Sequence, residues 1–305
     1  MDQEASATGD GAPSAVWLLL GPGMRGRMSA HLTEAFGERF GPSSVVFSDQ
    51  LVYKIAGGKF TLHDLTGRTL LPPKVAYARL SADRLSMDRE ITLLRHLQAM
   101  GVSLINSAES YLLCANKFRQ LQELAAAGLP VPDSWSYADA PFDRVIRHGA
   151  DEPRVVKAVR GNRGNRVFLA PDAAMLSDVA GSLAHNVPYL FQEFLSFSKG
   201  RNLRVVVVDG QAVSTAVHTN TEGGFKSNLS RGASGDYHPG RFPEAEDMAC
   251  RAAAALGLGL AGVDLLFRSD GGFTLCEINP SPQWGQDPPY VTSAILATCR
   301  LRLGA

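Results

Sequence analysis

The stretch from Gly262 to Gly285, GVDLLFRSDGGFTLCEINPSPQWG, constrains this chain more than any other. It reads as two apolar strands, Ala261 to Phe267 and Phe273 to Ile278, joined by a turn at Ser269-Asp270-Gly271-Gly272 whose glycines supply the positive φ of a tight hairpin. Each strand carries an acid that an apolar run does not call for. Asp264 lies inside the first, and Glu277 precedes Ile278 in the second. Period-two alternation puts Glu277 and Asn279 on one face. Three hard oxygen ligands can therefore converge, which suits magnesium, an ion that keeps water and phosphate oxygens in much of its shell. The same residues also read as an edge-strand charge and a polar strand end entering a turn.

Upstream, the spacing of apolar residues predicts alternating strands and helices. Val16 to Leu20, the turn Gly21-Pro22-Gly23 and a helical pattern through Met28, Leu32 and Phe36 make one α/β unit. Gly-Pro-Gly-Met-Arg-Gly departs from a dinucleotide-binding fingerprint and Pro22 lacks a backbone donor, so a plain tight turn is expected there. Val45 to Phe47, a hairpin over 58–71 turning at Asp64 to Gly67, and Lys74 to Arg79 follow as strands. Ser86 to Met100 is an amphipathic helix stopped by Gly101, and Val102 to Ile105 is a further strand. This order predicts a small parallel or mixed sheet covered by helices. Asn116 caps a helix from Lys117 to Ala127. Val155 to Val159 is a strand carrying Lys157, and Arg160-Gly161-Asn162-Arg163-Gly164 is a basic, glycine-rich tip suited to closing over phosphates. Further strands are expected at Phe191 to Leu195, Val205 to Val208 and Ala212 to His218, with helices at Ala245 to Leu256 and Val291 to Leu303.

Six motifs in this order resemble the RimK-like amide ligases of the ATP-grasp superfamily, over about residues 74 to 285. They are Arg79 at a strand end, the Asn116-Lys117 helix closing on Gly-Leu-Pro-Val-Pro, Lys157 with its glycine-rich loop, Phe191 to Leu195, the Arg-Asn-Leu-Arg and Phe-Lys-Ser-Asn segments, and Asp264 with Glu-Ile-Asn-Pro-Ser-Pro. Residues 1–14, acidic and rich in small residues, are expected to be disordered. The resemblance implies an α/β (α+β) fold: an N-terminal pre-ATP-grasp α/β domain at 15–115, a lid subdomain at 116–190 and a C-terminal metal-site subdomain at 191–305. It implies an ATP-dependent carboxylate–amine ligase that forms an amide or peptide bond through an acyl phosphate and releases ADP and phosphate. A kinase and a nucleotide-binding module without catalysis are the alternatives. Lys117 and Lys157 are then expected at the α- and β-phosphates, with Gly161 and Gly164 covering them. Gln192, Glu193, Phe194 and Leu195 line the adenine slot, and Asn202, Lys226, Ser227 and Asn228 complete the nucleotide site. Arg204 and Arg231 attend the transferred phosphate and acyl centre. Asp264, Glu277 and Asn279 hold two Mg2+ ions, with Mn2+ as a substitute, and Arg79 holds the amino-acid or peptide substrate, which is joined to an amine acceptor. The expected assembly is a homodimer or homotetramer.

The chain departs from the family pattern in three ways. Asn202 stands where Asp is frequent, Lys226 where Arg is, and Pro280 with Gln283-Trp284-Gly285 replaces small residues, which leaves the substrate open. Thirty basic residues balance 30 acidic ones, so net charge recommends neither nucleic acid nor an anionic membrane as partner. The four scattered cysteines lack metal or disulfide spacing and suggest a cytoplasmic protein. His218, the one histidine near these motifs, reads as a strand-end surface residue.

Overall fold

The strands Val16–Leu20 and Val75–Arg79 are apolar on both faces, the pattern of strands covered from two sides, and the computed structural model sets them side by side in a four-stranded parallel sheet. The structure describes residues 14–22, 24, 26–80, 87–147, 152–161, 166–180, 183, 188–221, 223–225, 234–237, 240–284 and 289–304. The sheet order is Val45–Phe47, Val16–Leu20, Val75–Arg79, Ser103–Leu104. The chain thus leaves the central pair in opposite directions, and the crevice at their C-terminal ends is a topological switch point, the usual place for a ligand in an open α/β sheet. Arg79 ends its strand there, and the Gly21 amide donates to its carbonyl at 3.0 Å. Leu32 and Phe36 of the helix Arg27–Phe40 pack on one face of the sheet, and Leu94 and Leu97 of the helix Thr92–Ala99 on the other.

Two features of this region differ from the sequence reading. The Asp64–Gly67 turn is present, with Asp64 Oδ1 accepting the Thr66 and Arg68 amides at 3.0 Å. It joins Lys59–Asp64 to Thr69–Leu70, and a further strand, Leu51–Ala56, completes a separate antiparallel sheet. That strand, Leu-Val-Tyr-Lys-Ile-Ala, is apolar on both faces, with Leu51 and Tyr53 half-buried against the core and Val52 and Ile55 exposed. The helix expected from Ser86 opens as a π turn at Met87–Ile91 before becoming regular at Thr92.

A second antiparallel sheet runs Val167–Ala170, Arg154–Ala158, Tyr189–Glu193, Ser134–Trp135. Val156, Ala158, Tyr189 and Phe191 face its own small core, and alternation leaves Lys157, Leu190 and Gln192 on the opposite face. The third antiparallel sheet has five strands: Ser234–Tyr237, Gln211–Thr219, Arg201–Val208, Leu260–Phe267, Phe273–Asn279. One face, through Leu203, Val205, Val207, Val263 and Leu265, packs on the helix Pro243–Ala255. Each such aliphatic burial is worth about 1.5–3 kcal/mol. The other face changes character along its length. Val206, Val208 and Leu260 meet the closing helix Pro289–Gly304 and Val16, Leu18 and Tyr77 of the first sheet. Asn202, Arg204 and Asp264 continue that face beyond the packed end. Among the described residues no helix is long and apolar enough to cross a membrane.

Candidate active site

Strand register builds a row of charges across the third antiparallel sheet. Arg204 stands opposite Asp264 on one strand pair, and Asp264 stands opposite Glu277 on the next. Two carboxylates directly opposed repel each other, and here each is held by its own cation. Arg204 Nε donates to Asp264 Oδ1 at 2.8 Å while Nη2 pairs with Oδ2, the two-pronged geometry in which a guanidinium is strongest. Asn202 Nδ2 adds a second donor to Oδ1 at 2.8 Å. Lys117 Nζ pairs with Glu277 Oε1, so this first-turn lysine is buried by an anion of another element and is not a solvated helix-end charge.

A β-bulge sets the second carboxylate. Leu265 pairs with Leu275 but Asp264 pairs with Glu277, so Cys276 is one residue too many for its partner strand. Leu275 and Ile278, three apart, both reach the core, while Cys276 and Glu277 are released from it side by side. Lys157 Nζ lies 3.5 Å from Cys276 Sγ and donates to Gln192 Oε1 at 2.7 Å. Two lysines, from the Asn116-capped helix and from the second antiparallel sheet, thus reach neighbouring residues of one strand. Asn279, opposite Gly262, is half-buried. A Cβ on Gly262 would lie 2.5 Å from Pro282 Cβ, so only glycine lets the turn after Asn279 fold back over the hairpin.

Two amides that the sequence reading passed over fix this geometry. Gln120 Nε2 donates to the Cys114 carbonyl at 2.7 Å and its Oε1 accepts the Ile278 amide at 2.9 Å, tying the helix of Lys117 to the strand of Glu277. Asn106 Nδ2 donates to the Leu260 and Pro280 carbonyls at 2.8 Å, and its Oδ1 accepts the Leu260 amide at 2.9 Å. The signal for Gln120 was its place three residues after Lys117 and four before Leu124, on the buried face of that helix.

His218 corrects an expectation. It stands opposite Asn202 on the site face and is 4% exposed, not a surface residue. Burial, reinforced by Arg204 and opposed by Asp264, holds its pKa down at about 4, so the ring is neutral at physiological pH. For Arg204 burial works against the charge, but Asp264 outweighs it and the guanidinium is held above its ordinary value. Burial likewise pushes the Cys276 thiol up, with Lys157 opposing.

Of the other expected residues, Glu193 is engaged structurally: its Oε1 accepts the Asp133 amide at 3.1 Å. Phe194 and Leu195 follow the strand and are half-buried. Gly161 is exposed with φ +138°. Gly164, Lys226, Ser227, Asn228 and Arg231 lie outside the described residues. The loop leading to Lys226 is held beside Arg201 because Gly200, at φ +70°, donates its amide to the Phe225 carbonyl at 3.2 Å, and a Cβ there would meet the Gly224 carbonyl oxygen at 2.7 Å.

Arg79 is 3% exposed. Its Nη1 donates to the Pro282 carbonyl at 3.0 Å and to the Tyr77 hydroxyl at 3.4 Å, and the guanidinium lies over the Trp284 ring, 5.4 Å from its centroid. Nε is buried and, among the described residues, has no hydrogen-bond partner. Arg204 Nη1 reaches the next carbonyl, that of Gln283, at 3.5 Å, so the two arginines hold adjacent peptide groups of one turn.

Among the described residues no three His, Cys, Asp or Glu side chains gather as a metal cluster. The candidate donor set is two carboxylates and a carboxamide. Asp264 accepts three bonds and Glu277 one, which leaves lone pairs on hard oxygens free, so the set fits a magnesium-like cation that brings its other ligands with it.

A family model described as the RimK-like ATP-grasp domain matches residues 114–291, the stretch that holds both lysines, the charge row and the turn after Asn279. The chain belongs to the RimK-like ATP-grasp family. It is 40% identical over 238 residues to N-acetylaspartylglutamate synthase A of Mus musculus, a match spanning 77% of this chain and 62% of that one. It is 37% identical over 238 residues to beta-citrylglutamate synthase B of Homo sapiens, spanning 77% and 61%. The chain therefore spans about three fifths of the length of these curated relatives. In fold it is similar to the ATP-grasp ligase PsnB, solved with a precursor variant, Mg and ADP, at a TM-score of 0.69, 19% identity and coverage of 95% of this chain and 99% of that one.

Proposed function

We propose that this RimK-like ATP-grasp protein is an ATP-dependent carboxylate–amine ligase. The observation that carries the reading is the row Arg204, Asp264, Glu277, Lys117, in which two opposed carboxylates are each matched to a cation from a different strand or helix. In this reading the γ-phosphoryl group passes to a substrate carboxylate and ADP leaves. The amine nitrogen then bonds to the acyl carbon and phosphate leaves. No nucleophile of the protein is needed, and the protein's task is positioning and charge neutralisation.

Asp264, Glu277 and Asn279 would hold Mg2+, as two ions with Mn2+ able to substitute, and the metal would neutralise charge shared by the β- and γ-phosphates. Lys117 and Lys157 exchange their protein partners for phosphate oxygens, and Arg204, with Arg231, attends the transferred group. Gln192 to Leu195, Gly161, Gly164, Asn202, Lys226, Ser227 and Asn228 complete the nucleotide site. Arg79 takes a second, non-reacting carboxylate of the acid substrate on its unpartnered Nε edge. A buried guanidinium with no described carboxylate beside it is costly, and a ligand anion relieves that cost.

The substrates are accordingly an acid with a spare carboxylate and an amine. Glutamate is the first amine to test, because the products named for the two synthases are both glutamate conjugates. Four free cysteines among the described residues support a cytoplasmic setting. Mass spectrometry after incubating the protein with Mg-ATP and a pool of amino acids, short peptides and polycarboxylic acids should reveal a condensation product. Nucleotide turnover yielding only phosphorylated products would replace the ligase reading with a kinase.

A further inference from the structure

The family resemblance leaves the residues after Asn279 without a role, and the structure gives one of them a place. Trp284 is 7% exposed and packs beside Val291 and Ile295 of the closing helix, so its ring is fixed by the core. Its π face lies under the guanidinium of Arg79. Pro282, two residues earlier, accepts from Arg79 Nη1, and Gln283 between them accepts from Arg204. The turn therefore grips both arginines, but only Arg79 is left with an unanswered donor.

We propose that Trp284 is the positioning residue of the acid subsite: by covering one face of the Arg79 guanidinium it fixes the plane in which the Nε edge meets the substrate's spare carboxylate. This rests on the assignment of Arg79 given above. The contrast with Arg204 supplies the chemistry. Arg204 uses its Nε and Nη2 edge to hold Asp264 in two-pronged fashion, and that edge is the one a carboxylate matches. On Arg79 the opposite nitrogen, Nη1, is spent on Pro282 and Tyr77, so the corresponding edge is kept for a ligand. An aromatic face satisfies part of the cation without competing for its N–H groups, whereas a carboxylate in that position would consume them. It also excludes water from one side, which strengthens an ion pair formed on the edge. Orientation prepared before binding lowers the KM for the acid and leaves the nucleotide untouched.

The test is a thermal-shift panel on the whole protein with acetate, L-glutamate, N-acetylaspartate, citrate and succinate, each alone, in wild type and in Arg79→Ala, Trp284→Leu and Trp284→Phe. Trp284→Met replaces the leucine variant if that one does not melt cooperatively. The expected result is a stabilising shift from at least one polycarboxylate and none from acetate. That shift is lost in Arg79→Ala and in Trp284→Leu and is restored in Trp284→Phe, which keeps a π face. With the active acid, KM should rise about tenfold or more in Trp284→Leu, with kcat and the KM for ATP near wild type. A shift lost in Arg79→Ala but intact in Trp284→Leu overturns this proposal and spares the assignment of Arg79. A shift that survives Arg79→Ala, or no shift from any acid in wild type, overturns both.

Discussion

Arg79, which is buried, and Arg204, which is half-buried, hold adjacent carbonyls of one turn, and they differ in what answers their charge. Arg204 is closed by Asp264 through two hydrogen bonds, with Asn202 completing that carboxylate. Arg79 has a carbonyl, a hydroxyl and an aromatic face, and its Nε is unanswered. A buried charge is costly when unpaired, so a cation closed within the protein belongs to the structure of the site, while an open one awaits an anion from outside. In the proposed reading, the difference separates the group that attends the transferred phosphate from the group that takes the acid substrate.

The contrast is broken most forcefully by Arg204→Ala. Asp264 would be left buried beside Glu277 without its cation, and unfolding free energy should fall by about 3–5 kcal/mol. Arg79→Ala removes a cation with no described counter-charge and should leave stability unchanged or raised. Urea melts of the two variants decide this, and equal losses in both would erase the distinction. Glu277→Gln keeps the shape of the strand and removes a charge from the candidate metal set. It should cost about 3 kcal/mol or more in transition-state stabilisation, read as kcat over KM across a magnesium titration. A wild-type rate with unchanged magnesium dependence would remove Glu277 from the metal set.

His218 sharpens the comparison from the side of Arg204. Its folded pKa of about 4 lies below the ordinary 6.5, because it is buried and faces that guanidinium. Between the two values the unfolded chain binds more protons, so the stability contribution of a neutral His218 is fully present above the ordinary value and is lost as pH falls toward the folded one. The loss is at most about 3 kcal/mol, and His218→Gln should abolish that part of the acid sensitivity, as urea melts at neutral pH and at about pH 4.5 would report. A smaller effect belongs to Arg79. Arg79→Ala should raise the KM for the acid substrate by about 2–3 kcal/mol in binding terms and barely move that for ATP, and Arg79→Lys should recover part of it, since an ammonium has no fork. Kinetics with each substrate varied in turn checks this, and parallel changes in both KM values would return Arg79 to a structural role.

Much of this site was legible in the sequence because its chemistry sits where local patterning forbids it. Asp264 in an apolar strand, Lys157 among β-branched residues and Arg79 at the end of a buried strand are all conspicuous. The bulge at Cys276 was not legible, since one inserted residue changes which side chains face the core without changing composition, and only the partner strand reveals it. His218 was misjudged for a related reason: exposure at a strand end is set by what lies across the sheet, and no local pattern encodes that. The Leu51–Ala56 strand was missed because apolar residues stand on both its half-buried face, Leu51 and Tyr53, and its exposed face, Val52, so no polar–apolar alternation marks it. Gln120 and Asn106, whose amides hold the site together, act over more than 150 residues of chain, a distance at which pattern carries no information.

The account is tested most directly by the fate of the nucleotide. Phosphorus NMR of a reaction containing the protein, Mg-ATP, a polycarboxylic acid and glutamate should show ADP and inorganic phosphate appearing together, in step with an amide product and dependent on both acid and amine. Release of AMP and pyrophosphate, or ADP formation with phosphate left on an acceptor and no amide, would contradict it.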